Sequence, residues 1–107
     1  VAIWIRAHKT RIGSKVETVY PMNGETFSIR EMRNYTGGIR VAPLQMNHGH
    51  FMWVNADEKE SLPVNLVADI LAHQDSGIPL AEHITGDVLL ANREESGLER
   101  IAYVRSN

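Results

Sequence analysis

The chain has 107 residues, 43% of them apolar and none of them cysteine, with a formal net charge of −2. This describes a single domain over residues 1–107 with one core and no covalent staples; disulfides, thiolate nucleophiles, cysteine-based zinc sites and iron–sulfur clusters are excluded. No apolar run approaches the roughly 18 residues of a membrane-spanning helix, and the acidic balance predicts no general attraction to nucleic acid.

Val1 to Ile5 is a β-branched and aromatic run and reads as a strand. It is too short for a signal-peptide core, and charged residues follow it, so the expectation is a cytoplasmic protein. Val16, Thr18 and Tyr20 alternate with Glu17 and Val19 as a second strand, which Pro21 ends. The two strands form a hairpin whose connection carries Arg6, Lys9, Arg11 and Lys15 with no acid among the first sixteen residues, whereas the rest of the chain is net acidic.

Ser28-Ile-Arg-Glu31 is a capping box, in which hydroxyl and carboxylate each serve the other residue's backbone N–H. Phe27 and Met32 staple it, Ile29, Met32 and Tyr35 recur at helical spacing, and Gly37-Gly38 supplies a left-handed stop. The helix is predicted over about residues 29–36. Ile39, Val41 and Pro43 alternate as a third strand, and Gln45 to His50 turn into a fourth, Phe51-Met-Trp-Val54. Pro63 suits the first turn of a second helix with Leu66, Val67, Ile70 and Leu71 on its apolar face, ending within residues 73–77. Val88 to Ala91 is a fifth strand and Ile101 to Val104 an optional sixth. The order ββαββαβ(β) predicts an α+β fold, with a mostly antiparallel or mixed sheet and two helices on one face.

Four segments stand out: Gly24-Glu-Thr-Phe-Ser-Ile-Arg-Glu31 opening a helix that closes on Thr36-Gly37-Gly38-Ile39; Trp53-Val-Asn55-Ala-Asp-Glu-Lys59; Leu62-Pro63-Val-Asn65; and Ile84-Thr-Gly86-Asp87-Val88. In this order, across about residues 16–91, the chain resembles an uncharacterised small-domain family of phages, plasmids and bacterial genomes. Its pattern is a helix ending in Val-Gly-Gly, a strand leading to Asn-Glu-Glu-Gly-Lys, a Leu-Pro-x-Asn helix start and a Gly-Asp strand. The chain departs from it at Thr36 and at Asn55-Ala56, where Asp57 or Glu58 takes over the carboxylate. The resemblance implies a fold order and a mobile-element setting, with no activity attached.

Candidate chemistry is sparse. His48-Gly-His50 places two imidazoles on the same side of an extended segment, as zinc or nickel requires, although the same residues suit a polar hairpin tip. Two more ligands would have to come from His8, His73 or His83. Arg6, Lys9, Arg11 and Lys15, with Arg40 on a nearby strand, can meet phosphate; the alternative is a solvated tip. Trp4, Phe51 and Trp53 can stack bases, but they equally suit a core or a subunit interface. Asn55 and Asn65 suit loop-fixing hydrogen bonds, and a site between them follows from the resemblance alone.

The sequence therefore favours a non-catalytic binding module needing no cofactor, acting stoichiometrically on a host protein or sequestering a small nucleotide signal in an anti-defence or host-modulating role. Its ligand contacts would be Arg6, Lys9, Arg11, Lys15, Arg40, Asn55 and Asn65. A nucleic-acid-binding accessory protein using the basic hairpin is the alternative, and a metal-dependent enzyme at His48 and His50 the second. Because Phe51 to Val54 is apolar at every position, the strand needs cover on both sheet faces. With both helices on one face, the other predicts a homo-oligomer joined through Phe51 or Trp53.

Overall fold

The structure, a computed structural model, describes residues 1–7, 15–46, 49–57, 61–75 and 83–97. Its elements are β1 (Ala2–Arg6), β2 (Lys15–Val19), α1 (Ile29–Thr36), β3 (Val41–Gln45), β4 (His50–Asn55), α2 (Leu66–Asp75), β5 (Val88–Asn92) and the short α3 (Arg93–Ser96). The strands form one five-stranded sheet in the order β2-β1-β5-β4-β3, antiparallel at every pairing. The fold is thus α+β, as expected, with two hairpins joined by β5 between them. The optional sixth strand, 101–104, lies outside the described residues.

Local chemistry explains α1. Ser28 Oγ accepts from Glu31 N–H at 3.1 Å and Glu31 Oε1 accepts from Ser28 N–H at 2.9 Å. Loss of such a hydroxyl costs a helix about 1 kcal/mol. At the other end Gly37, at φ 75°, donates its N–H to the Arg33 carbonyl at 2.7 Å. α3 was not foreseen, although Asn92-Arg-Glu-Glu95 carries a related start signal: Asn92 Oδ1 accepts from Glu95 N–H at 2.7 Å.

The helices divide between the two faces of the sheet, and here the expectation of both on one face is corrected. Alternation along the strands sends Ala2, Phe51, Trp53, Leu89 and Ala91 to one face, where they pack with Phe27, and Met32 and Tyr35 of α1. It sends Ile5, Met52 and Val88 to the other, under Ala68 and Ala72 of α2. Both faces of β4 are therefore covered by the chain itself. Phe51 and Trp53 are buried, and Trp53 Nε1 donates to Ser96 Oγ at 2.9 Å, so neither can form the proposed subunit interface or stack a base. Trp4 is half-buried, its ring edge-on to Tyr35 and its Nε1 donating to the Tyr35 carbonyl.

α2 also turns differently from the expectation. It begins at Leu66, leaving Pro63 outside, and Asn65 Oδ1 accepts from Ala68 N–H at 3.2 Å. Its innermost stripe is Ala68, Asp69 and Ala72, while Ile70 is 55% exposed. Small side chains let the helix approach the sheet, and the polar Asp69 is tolerated because its oxygens are engaged. Among the described residues no helix is long and apolar enough to cross a membrane.

Asp69 ties the segment before β5 to α2. Its Oδ1 accepts from Ile84 N–H at 2.8 Å, its Oδ2 lies 3.0 Å from His83 Nδ1, and His73 Nε2 approaches to 3.8 Å. Burial opposes ionisation here, but the bonds from His83 and Ile84 N–H and the two imidazoles outweigh it and hold the carboxyl below the ordinary 3.8. A group whose pKa is lowered by folding contributes stability above its unfolded value and loses it as pH falls through the folded one. Asp69→Asn should therefore destabilise at pH 7, with the gap to wild type closing as pH falls below about 4 towards the folded pKa. Urea unfolding midpoints of both proteins at pH 7 and pH 3 provide the check; an equal gap at both would remove Asp69 from the acid response.

Candidate functional site

β1 and β4 end, and β2, β3 and β5 begin, at the same end of the sheet. A cleft of about 280 Å³ opens there, on the side covered by α1. Its walls come from the end of β1 (Arg6 and Ala7), the end of α1 (Thr36 and Gly37), Asn55 of β4, Leu62-Pro63, and Gly86-Asp87 before β5. The motif segments, separated by up to fifty residues, thus meet in one place.

Most of their polar residues hold the frame. A side chain on Gly38 would place its Cβ 2.7 Å from Asn55 Cγ and Oδ1, so only glycine permits this approach. Asn55 Oδ1 accepts from Asp57 N–H at 2.8 Å, and its Nδ2 makes a long, 3.5 Å bond to the Thr36 carbonyl. Asp57 Oδ2 accepts from both Ile39 and Arg40 N–H at 2.8 Å, and Oδ1 from Arg40 Nε at 2.9 Å. The Arg40 backbone bond, then its side-chain bond, lead the contacts that lower the Asp57 pKa against a desolvation opposing them. Asp57 thus ties the start of β3 to the end of β4, while Glu58 lies outside the described residues.

Asn65 is fully buried and braces the cleft from behind. Its Nδ2 donates to the carbonyls of Ile5 and Gly86, both at 2.9 Å. Gly86 N–H in turn reaches the Pro63 carbonyl, and Gly86 sits at φ 76° against the Leu62 side chain.

Two charged side chains on the walls are not absorbed in this way. Arg6 lies with its guanidinium carbon 4.7 Å from the Trp4 ring centroid and reaches Glu17 with one nitrogen at 3.5 Å. Asp87 Oδ1 accepts from Ala7 N–H at 2.9 Å, and among the described residues Asp87 makes no ion pair. Thr36 and Gly37 bring the C-terminal, electronegative pole of α1 to the same space.

Of the residues expected from sequence, Arg6 and Asn55 line the cleft and Asn65 supports it from within the core. Lys15 lies at the same end but shares Glu17 with Arg6, at 3.6 Å, and Arg40 is committed to Asp57. The basic side chains thus do not gather into one phosphate cradle among the described residues. Lys9, Arg11, His8 and His48 lie outside them. His50 is exposed at the opposite end of β4, opposite Asn92, and His73 and His83 meet at Asp69; no group of three described residues could hold a metal ion. Asp87, which the sequence offers only as part of a Gly-Asp strand start, also lines the cleft. The available signal was a lone acid at the entrance to an apolar strand, with Arg6 at the exit of another.

Compared with protein-family models, curated proteins and solved structures, the chain matches none.

Proposed function

We propose that the protein is a non-catalytic binding module that holds one small charged metabolite per chain in this cleft. The observation carrying the reading is the convergence of the motif segments on a space that their glycines and asparagines shape but do not fill. Buried asparagines and close-approach glycines set the walls rigidly, as a preorganised site requires, and Arg6 and Asp87 remain to meet a ligand. At about 280 Å³ the space is below the usual range for drug-sized ligands, which favours a compact metabolite over a polymer. In the mobile-element setting implied by the resemblance, such a module would act by sequestering a signal.

Native mass spectrometry of gently purified protein tests this. The wild type is expected to carry a small bound mass, at one per chain, that leaves chemically unchanged on denaturation and is absent from Asp87→Ala and Arg6→Ala. A wild type that stays bare after incubation with a small-metabolite extract of its expression host would refute the reading, as would a ligand converted into product.

A further inference from the structure

The ligand class follows from how the two charges are held. Ile3, Trp4 and Ile5 of β1 face Leu90, Leu89 and Val88 of β5. One step further along this register come Arg6 and Asp87, an opposite-charge cross-strand couple of the kind that normally pairs directly. Here they stay apart. The Arg6 guanidinium is drawn over Trp4 and towards Glu17, and the Asp87 carboxylate is turned to Ala7 N–H. Both nevertheless line the same cleft, Asp87 beside the electronegative end of α1 and Arg6 with most of its five N–H donors unused by Glu17.

We infer that the cleft takes a small amino-acid zwitterion, its carboxylate on Arg6 and its ammonium group between Asp87 and the C-terminal end of α1. This rests on the cleft being the binding site proposed above. An anion alone would leave Asp87 facing it across a narrow space, and a cation alone would meet Arg6; only a ligand carrying both charges satisfies both walls. Leu62 and Pro63 offer its carbon skeleton an apolar side. The same geometry disfavours a polyphosphate, whose charge would be placed against Asp87 and the α1 pole.

The test is amide-resolved NMR titration of the full chain with the free L-amino acids, β-alanine and 4-aminobutyrate. Each is compared with its N-acetyl and its carboxamide derivative, and AMP serves as an anionic probe. At least one zwitterion should shift the Ala7, Gly37 and Gly86 amides saturably, with both blocked derivatives at least tenfold weaker. Asp87→Asn, which keeps an acceptor for Ala7 N–H, and Arg6→Gln should each cost at least tenfold. Equal binding of a blocked derivative, or undiminished binding by either variant, would overturn the inference. AMP bound at the same amides with no zwitterion bound would overturn it while leaving the cleft as a ligand site. Silence from every probe would also overturn it, and the bound mass seen by native mass spectrometry would then decide the broader reading alone.

Discussion

Asn65→Ala is expected to remove about 3–5 kcal/mol of stability, a large share of the ~5–15 kcal/mol that a domain possesses. The side chain is fully buried, donates to two carbonyls and accepts from Ala68 N–H. Truncation orphans all three backbone groups where water does not reach, and each orphan costs about 1–3 kcal/mol. Asn65→Asp should be nearly as damaging at neutral pH, because it turns a carboxylate oxygen towards the Ile5 and Gly86 carbonyls. Urea unfolding measures both; a loss under about 1 kcal/mol for either would mean that Asn65 is a replaceable cap and not the brace between β1, α2 and the Gly86 turn. Because the brace holds Ala7 and Asp87 in place through their neighbours, any ligand bound in the cleft should be lost with it.

Gly38→Ala should destabilise by about 1–3 kcal/mol through overpacking, and more than its neighbour Gly37→Ala relative to the available space. At Gly37 nothing lies within 4 Å of the added carbon, so the cost is the left-handed backbone alone, about 1 kcal/mol. At Gly38 the new Cβ meets Asn55 at 2.7 Å and the Arg40 carbonyl at 3.0 Å. Asn55 is held by Asp57 N–H and must give way, breaking the loop that Asp57 closes on Ile39 and Arg40. The double variant Gly38→Ala/Asn55→Ala separates the contributions. If the clash is with the Asn55 side chain, the two losses are strongly non-additive in thermal or urea unfolding. Strict additivity would place the strain at the Arg40 carbonyl instead.

The two glycines, adjacent and alike in sequence, show where local signals stop. Gly37 was legible as a helix stop because the left-handed cap depends on the preceding turn of α1 alone. Gly38 is required by a residue seventeen positions away, and that requirement exists only once β4 lies beside the end of α1. The position of Asp87 is non-local in the same way. It lies one register step from Arg6, eighty-one positions earlier, and does not pair with it. The described members of the basic cluster are likewise separated only by tertiary contacts: Arg40 is held by Asp57, while Lys15 and one nitrogen of Arg6 meet Glu17.

The sequence by itself determined the boundaries of α1, the two hairpins, the fifth strand and the α+β class, because capping boxes, turn pairs and two-residue alternation act between near neighbours. The resemblance picked out the segments that build the cleft, although their glycines and asparagines also had local readings as helix stops and loop-fixing residues. Only the tertiary structure decided which side of the sheet each helix covers. Phe51 to Val54 is apolar on both faces, so its pattern demands two layers of cover without saying who supplies them. The chain supplies both, α1 on Phe51 and Trp53 and α2 on Met52. That division buries the aromatic residues that had suggested an interface: an apolar strand signals only that it needs cover, and cover from the same chain avoids the association entropy that a partner would cost.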